Sequence, residues 1–537
     1  MFKLIPSLFL SAIAFHGLGQ QFNAVVATSS MDFLSSGLEL ENGHLIVGGF
    51  TSGMGETGND IMLIRVNHLG ERVWTKSLAS PGEDALNTIK TYDSEHFLYA
   101  GILDSETSGS EGAFGMLDID GNLVWQLTIG GNSNEEVTDM TVCNDGKIFV
   151  AGNTTSYGEG DQDVFIALAD ATGHLEWSKI YGTPMYEKVL GSACDLDGNL
   201  YIWGHQNGSE TSGYDTFIMK FDTNGDEVWN KHFSLQSNEL AWDILLTPNG
   251  DLLLSGDTNS SGEGQNDIFL IRMNTDGDVL WSKTFGSFAS EHGTAICKMK
   301  NDMYMITGGT GSFGSGGLDF LAMYVNDNGD LKYASAIGGE IKDISVGAFK
   351  TKDGGAVLLG NTRSFGEGYT SGYMVKINNS GRSACNTTFS TDFQSHSVEF
   401  NIGNAGLAER GEGIVVGLAA FPNPTNVGIG YTVLCDDQIE GVSPSAIADT
   451  ERLDFNRIRL QPNPSNGYVK AYIKLQENES GKLEVFNLEG RLVQFHSFSS
   501  AMNGEVRAIQ LQPLTRGVYL TRLSIGNAIE TKKLIVE

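Results

Sequence analysis

The sequence predicts an all-β chain on three observations: glycine is abundant, charge is sparse, and one pattern returns seven times at a fixed spacing. Glycine supplies 68 of 537 residues, while Asp, Glu, Lys and Arg together make 19%, a balance that favours turn-rich sheet over helical bundles. Tryptophan marks the repeat. Trp74, Trp125, Trp177, Trp229 and Trp281 are followed in register by Tyr333 and Cys385, at steps of 51 or 52 residues. Four residues before each stands a glycine: Gly70, Gly121, Gly173, Gly225, Gly277, Gly329 and Gly381. A period of this length marks supersecondary units that bury their faces against one another.

Each unit reads as four short strands, as in Leu240 to Leu246, Asp251 to Ser255, Asp267 to Met273 and Val279 to Phe285, where apolar alternation and β-branched residues carry the signal. The connections are hairpin chemistry. Asn249-Gly250, Asp276-Gly277, Asp197-Gly198 and Asp145-Gly146 supply the positive φ that tight turns need. Seven four-stranded units over residues 22–390 predict a seven-bladed β-propeller, whose closure removes exposed sheet edges. A parallel β-helix competes less well, because its coils are shorter and do not need paired hairpins. The tryptophan column is expected in the core, since burying a Trp removes roughly 150–250 Å² from water.

Residues 455–537 hold 11 Lys/Arg against 7 Asp/Glu, leaving 23 bases and 59 acids before them. A body that acidic repels phosphate backbones, so nucleic acid is excluded as a partner, and cations, neutral glycans or basic surfaces suit it better. Lys3, the apolar run from Leu4 to Phe15 and the small residues Gly17-Leu18-Gly19 predict a secretory signal peptide over residues 1–19. No later run is long enough for a transmembrane span. Of the five cysteines, Cys385 and Cys435 bracket the segment after the repeats and are the expected disulfide of an exported chain, while Cys143, Cys194 and Cys297 read as small core fillers.

Two columns are candidate sites. Ten residues after each tryptophan position stands an acid, giving Asp32, Asp84, Glu135, Glu187, Glu239, Glu291 and Asp343 just before the innermost strand of each blade. Seven carboxylates around one channel mouth repel one another. They are expected either to accept hydrogen bonds that lock blade to blade or to hold a divalent cation, for which oxygen ligands suit calcium. The second column is the loop Ser260 to Asp267, echoed by Ser156 to Asp163 and Ser312 to Asp319, with Asp60 and Asp215 at its last position. Gly112 and Ser371 break it, so a ligand read by these loops would not see seven-fold symmetry. The units resemble a family of secreted bacterial propellers with a G-x-T-x-S-x-G-x-x-D loop and a D-x-x-G-x-x-x-W hairpin, carried here by Gly152 to Asp163 and by Asp222 to Trp229. That resemblance implies a fold rather than a ligand.

After the repeats the period is lost, and residues 391–452 read as a linker with some β structure. Residues 453–537 change pattern again: Pro462-Asn463-Pro464, Gly490-Arg491, Gly517 with Tyr519, and Lys532-Lys533 punctuate alternating strands that predict a small immunoglobulin-like β-sandwich. These motifs resemble the type A sorting domain of the bacterial type IX secretion system. The resemblance implies export to the surface of a Gram-negative bacterium, recognition by the secretion machinery, and removal of the domain with attachment of the rest to surface lipopolysaccharide. A surface binding or adhesion protein for a glycan or protein ligand is the favoured reading, and a glycan-active hydrolase or lyase on a propeller scaffold is the alternative. Against catalysis, the histidines share no repeat position and none of H-E-x-x-H, G-x-S-x-G or a phosphate loop is present. No catalytic residue is assigned.

Overall fold

A computed structural model describes residues 20–53, 58–105, 109–207, 213–366, 369–390, 393–412, 415–417, 424–436, 458–461, 469–474, 480–487, 491–499, 506–511, 514–525 and 528–536. The chain divides into two compact units, residues 1–438 and 439–537. The expected signal peptide lies outside the described residues. Among those residues no helix is long and apolar enough to cross a membrane.

Seven sheets make up the first unit, and in each the blade strands pair antiparallel in chain order. Blade 5 is representative, with Glu239–Leu246, Leu252–Thr258, Asp267–Met273 and Val279–Gly286. First strands of successive blades lie side by side, and Asp343–Lys350 of blade 7 lies beside Asp32–Glu39 of blade 1, so the ring closes. This is a seven-bladed propeller. Every first strand carries a bulge at the same place, such as Ala241/Asp243 in blade 5, which leaves one residue of that strand outside the ladder. The glycine column takes φ between +70° and +84°, the conformation that residues with a Cβ avoid, at the hairpins joining third and fourth strands in blades 1 to 6 and at the turn after the third strand in blade 7. Those hairpins and the ones joining first and second strands share one face. The inter-blade loops and the second-to-third-strand loops share the other, called here the loop face.

Blade 7 departs from the simple count. Its fourth strand is Phe22–Ala27, paired antiparallel with Ser371–Ile377 from Phe22↔Lys376 to Val26↔Gly372, and Cys385 does not occupy the place of a fourth-strand Trp. The two ends of the repeat region are thus hydrogen-bonded into one sheet. Opening the ring means breaking that ladder.

The expected linker is instead a belt. From residue 387 to 436 the chain travels back around the propeller and adds a fifth strand to the outer edge of every blade. Thr387–Phe389 joins blade 6, Gln394–Ser397 blade 5, Asn401–Gly403 blade 4, Ala408–Glu412 blade 3, Val415–Gly417 blade 2, Thr425–Asn426 blade 1 and Gly430–Asp436 blade 7. Phe393, Phe400 and Leu407 recur every seven residues and enter successive grooves between blades 5 and 6, 4 and 5, and 3 and 4. Polar contacts fix the register: Asn230 accepts from the Ala405 amide at 3.1 Å and donates to the Leu407 carbonyl at 3.3 Å, while Arg72 donates to the Ile429 carbonyl at 2.7 Å. Sequence reading missed the belt because its strands are two to seven residues long and alternate too briefly to register.

The tryptophan column is not fully buried, contrary to expectation. Each ring is half-buried at a blade junction and packs on the hairpin of the next blade, where a Cβ on Gly121, Gly173, Gly225 or Gly329 would come within 3.2 Å of Trp74, Trp125, Trp177 or Trp281. Trp125, Trp229 and Trp281 donate from Nε1 to Ala171, Thr275 and Asp327 carbonyls at 3.1, 3.1 and 3.3 Å. The Trp and Gly columns therefore recur together because Trp74, Trp125, Trp177 and Trp281 each need the bare backbone of the next blade's glycine, while at Gly277 the Lys231 side chain beside Trp229 takes that place. The cysteine assignment also changes. Cys385 and Cys435 are joined, with Cα atoms 6.3 Å apart, but Cys143 and Cys194 are joined too, at 5.5 Å, tying the inner strands of blades 3 and 4. Their positions one repeat apart bring them together across the junction; Cys297 is free and buried.

The second unit is a small sandwich. Ile458–Gln461, Lys470–Lys474 and Val506–Gln510 form one sheet, and Leu492–Ser499, Ser480–Asn487, Gly517–Ile525 and Ala528–Val536 form the other. Val469, Ala471, Ile473, Leu483, Val485, Leu523 and Leu534 fill the space between. The Tyr519 hydroxyl donates to the Thr515 carbonyl at 2.8 Å, a corner like that of immunoglobulin-type sandwiches.

Candidate functional site

The first acid column sits on the loop face at the head of the innermost strands, and all seven carboxylates are buried, none more than 1% exposed. Each is claimed by local donors. The amide four residues earlier donates to Asp32, Asp84, Glu187, Glu239, Glu291 and Asp343 at 2.5–3.1 Å. A threonine hydroxyl at the end of the second strand donates to Asp32, Glu135, Glu239, Glu291 and Asp343 at 2.5–3.0 Å. The amide belongs to the loop arriving from the previous blade and the threonine to the acid's own blade, so Asp32, Glu239, Glu291 and Asp343 each tie two blades, as does Asp84 through the Ser80 and Asp104 amides. Burial raises the pKa of Asp32, Asp84 and Glu187, and the hydrogen bonds partly offset it. Among the described residues, no three His, Cys, Asp or Glu side chains form a group that could hold a metal.

The second column heads the third strands and is also buried. Asp267 accepts from its own loop, from the Glu263 and Gly264 amides at 3.3 and 3.1 Å, and Asp319 accepts from the Ser315 amide at 2.6 Å. What the sequence did not show is that this column meets the first across several junctions. Asp267 Oδ1 and Glu291 Oε2 both lie within 3.1 Å of the point a Cβ on Gly286 would occupy, and Asp319 Oδ1 and Asp343 Oδ2 stand likewise at Gly338. Burial, with Glu187 nearby, pushes Asp163 up to about 7, and burial beside Asp343 pushes Asp319 up to about 6. These junctions keep a proton well above the pH at which an exposed aspartate releases it.

The seven-fold pattern breaks at the channel mouth. At the position after each column acid the blades place Phe33, Ala85, Glu136, Lys188, Leu240, His292 and Ile344. Blades 7 and 1 are apolar here: Phe33 stacks on Phe50 at 4.6 Å, and Tyr369, Ile341 and Met31 stand exposed in the loops above. Blades 3, 4 and 6 carry a charged or titratable side chain at this position, and blade 5, with Leu240 there, adds Asp257 from its second strand. Glu136 accepts from Asn87 at 2.9 Å and faces Lys188 at 3.8 Å. Asp257 binds His292 Nδ1 at 2.8 Å, accepts from Trp242 Nε1 at 2.9 Å and from the Gly293 amide at 2.8 Å. The hydrogen bond to Asp257 raises the His292 pKa. Deeper in, Lys90 pairs with Asp139 at 3.0 Å, and burial pushes Asp243 up to about 7. None of these residues occupies a conserved repeat column, so no periodicity search finds them; the signal was departure from the repeat. The grouping of His292 with Asp257 needs the fold, for they lie on different blades.

Of the sorting-motif residues, the Arg491 amide donates to Asn487 Oδ1 at 2.9 Å, Gly517 and Lys532 lie on paired strands, and Lys533 pairs with Leu520 in register. Pro462, Asn463, Pro464 and Gly490 lie outside the described residues. Residues 459–537 match the family described as the secretion system C-terminal sorting domain, and residues 143–175 and 247–279 match a β-propeller domain of unknown function. The chain is an exported β-propeller with a type IX sorting domain. The regulatory protein FlaEY of Caulobacter vibrioides is 25% identical over 169 residues, 29% of this chain and 17% of its own length. The chain therefore spans less than a fifth of that relative. Among solved structures, PorZ of Porphyromonas gingivalis, described as an essential surface component of the type IX secretion system, is 13% identical with a TM-score of 0.32, covering 94% of this chain and 81% of PorZ. An endo-1,5-α-L-arabinanase from Thermotoga petrophila is 8% identical with a TM-score of 0.25, covering 65% of this propeller chain and all of the enzyme.

Proposed function

We propose that this type IX propeller is a cell-surface binding protein whose ligand seats over the channel mouth on the loop face. The asymmetric mouth carries the reading. The acids of both columns that accept hydrogen bonds take them from local donors of the fold, whereas the mouth departs from the repeat and sets an apolar half on blades 7 and 1 against a charged half on blades 3 to 6. Such a mouth suits a ligand with one apolar and one polar end, a glycan or a protein segment. A glycan array and a panel of surface proteins, probed with the purified full chain, supply the test. Binding lost at least tenfold in Asp257→Asn and Phe33→Ala, but kept in Leu196→Ser on the opposite face, supports the reading. Loss in Leu196→Ser alone overturns it.

The hydrolase or lyase alternative draws on His292 and Asp257, a carboxylate–imidazole pair of the kind that orients a general base. It requires release of reducing ends or unsaturated sugars from the same glycans, abolished in His292→Ala. On the sorting domain, we infer that it is removed at the surface and the propeller then attached to lipopolysaccharide. Fusing residues 453–537 to a signal-bearing reporter in a type IX-competent host is expected to place the reporter on the surface; retention in the periplasm overturns the inference.

A further inference from the structure

We propose that Cys385 and Cys435 form a redox-operated clasp that turns the belt into a closed covalent hoop around the propeller. Cys385 follows the turn after the third strand of blade 7, and Cys435 lies on the final belt strand, opposite Asn23 of the N-terminal strand. Between them the chain passes blades 6, 5, 4, 3, 2 and 1 in turn and returns to blade 7. The disulfide therefore joins the start of one complete circuit to its end. The strand that closes the ring, Phe22–Ala27, lies inside the hoop, paired on one side with Ser371–Ile377 and on the other with Gly430–Asp436. Asn23 is the contact point: its Nδ2 donates to the Tyr373 hydroxyl at 2.8 Å and to the Cys385 carbonyl at 3.5 Å.

The belt needs such a clasp. Its strands are short, each pairs with a blade on one side only, and short edge segments open locally at little cost. With the thiols free, the belt peels from its last strand backward, and the ring-closing strand keeps one partner instead of two. With the disulfide formed, the belt has no free end. In a reducing cytosol the thiols stay open. After export, thiol–disulfide exchange with an external disulfide closes the clasp: the two cysteine thiols give up two protons and two electrons, the S–S bond forms, and the external disulfide leaves as two thiols.

Hydrogen exchange on the full chain tests this. In the parent protein, peptides within 387–436 are expected to exchange as slowly as the fourth strands they cover. In the Cys385→Ser/Cys435→Ser variant they exchange at least tenfold faster, while the first strands around the channel keep their protection. The Cys143→Ser/Cys194→Ser variant leaves belt exchange unchanged. Because the double serine variant can fail to fold, the folded Cys143→Ser/Cys194→Ser protein is also reduced with a small thiol and reoxidised with glutathione disulfide, and belt exchange is expected to rise and then return. Belt protection indifferent to the state of the Cys385–Cys435 pair overturns the proposal, as does loss of protection in belt and first strands together.

Discussion

Gly286 shows how narrowly the blade junctions are built. A Cβ there would lie 1.7 Å from Asp267 Oδ1 and 3.1 Å from Glu291 Oε2. Gly286→Ala is expected to cost about 1–3 kcal/mol by overpacking, read as a lowered denaturation midpoint, with partial recovery when Asp267 is also changed to Ser. The carboxyl pairs give stability a particular pH dependence. Asp163 and Asp319 have folded pKa values of about 7 and about 6, above the 3.8 of an exposed aspartate, so both stay protonated in the fold where the unfolded chain would release the proton. Their contribution is fully present below about pH 4 and is lost as pH rises through 6 to 7. Melting temperature measured from pH 4 to 8 is expected to fall less steeply in Asp163→Asn and Asp319→Asn than in the parent. The first column answers to a different test. Glu187→Gln with Glu239→Gln is expected to lower stability by removing charged acceptors from buried donors, and a chelator is expected to leave the parent's melting temperature unchanged. Both columns were legible from their register. Their meeting was not, because residues 24 apart in sequence become neighbours only once adjacent blades are placed side by side.

Two elements recur for reasons that the period alone does not give. The tryptophans were legible as a column, yet their half-burial depends on the glycine of the following blade, a partner that spacing cannot reveal. Trp229→Ala is expected to cost about 2–3 kcal/mol, less than the 3–5 typical of a fully buried Trp, and chemical denaturation measures the difference. The belt was not legible, for the seven-residue spacing of Phe393, Phe400 and Leu407 acquires meaning only once each is seen entering a groove between blades. Leu407 is 2% exposed, so Leu407→Ala is expected to cost about 2–5 kcal/mol of local packing. Limited proteolysis locates it: cleavage should appear within 401–417 before any blade is cut.

For the whole molecule, seven blades and a distinct C-terminal sandwich could be read from the sequence, because strand alternation, hairpin dipeptides and a strict period agree with one another. Two long-range features could not. A strand at residue 22 completing a blade that begins at residue 343, and a belt running against the direction of the repeats, leave no local trace. Opening the Cys385–Cys435 loop, whose ends are 50 residues apart, is expected to cost about 4 kcal/mol on the chain-entropy scale, read as a lower midpoint in Cys385→Ser/Cys435→Ser. The clasp also decides where mechanical load travels. The last belt strand ends at Asp436, one residue after Cys435, and the sorting domain follows it in the chain. Tension applied at that domain reaches the clasp almost at once. In the oxidised protein it crosses the sulfur bridge to Cys385 and is borne by the ladders of blade 7, sheared along their length. In the reduced protein it bypasses that route and unzips the belt one short strand after another, so a propeller tethered by its C-terminus resists pulling only after its cysteines are joined.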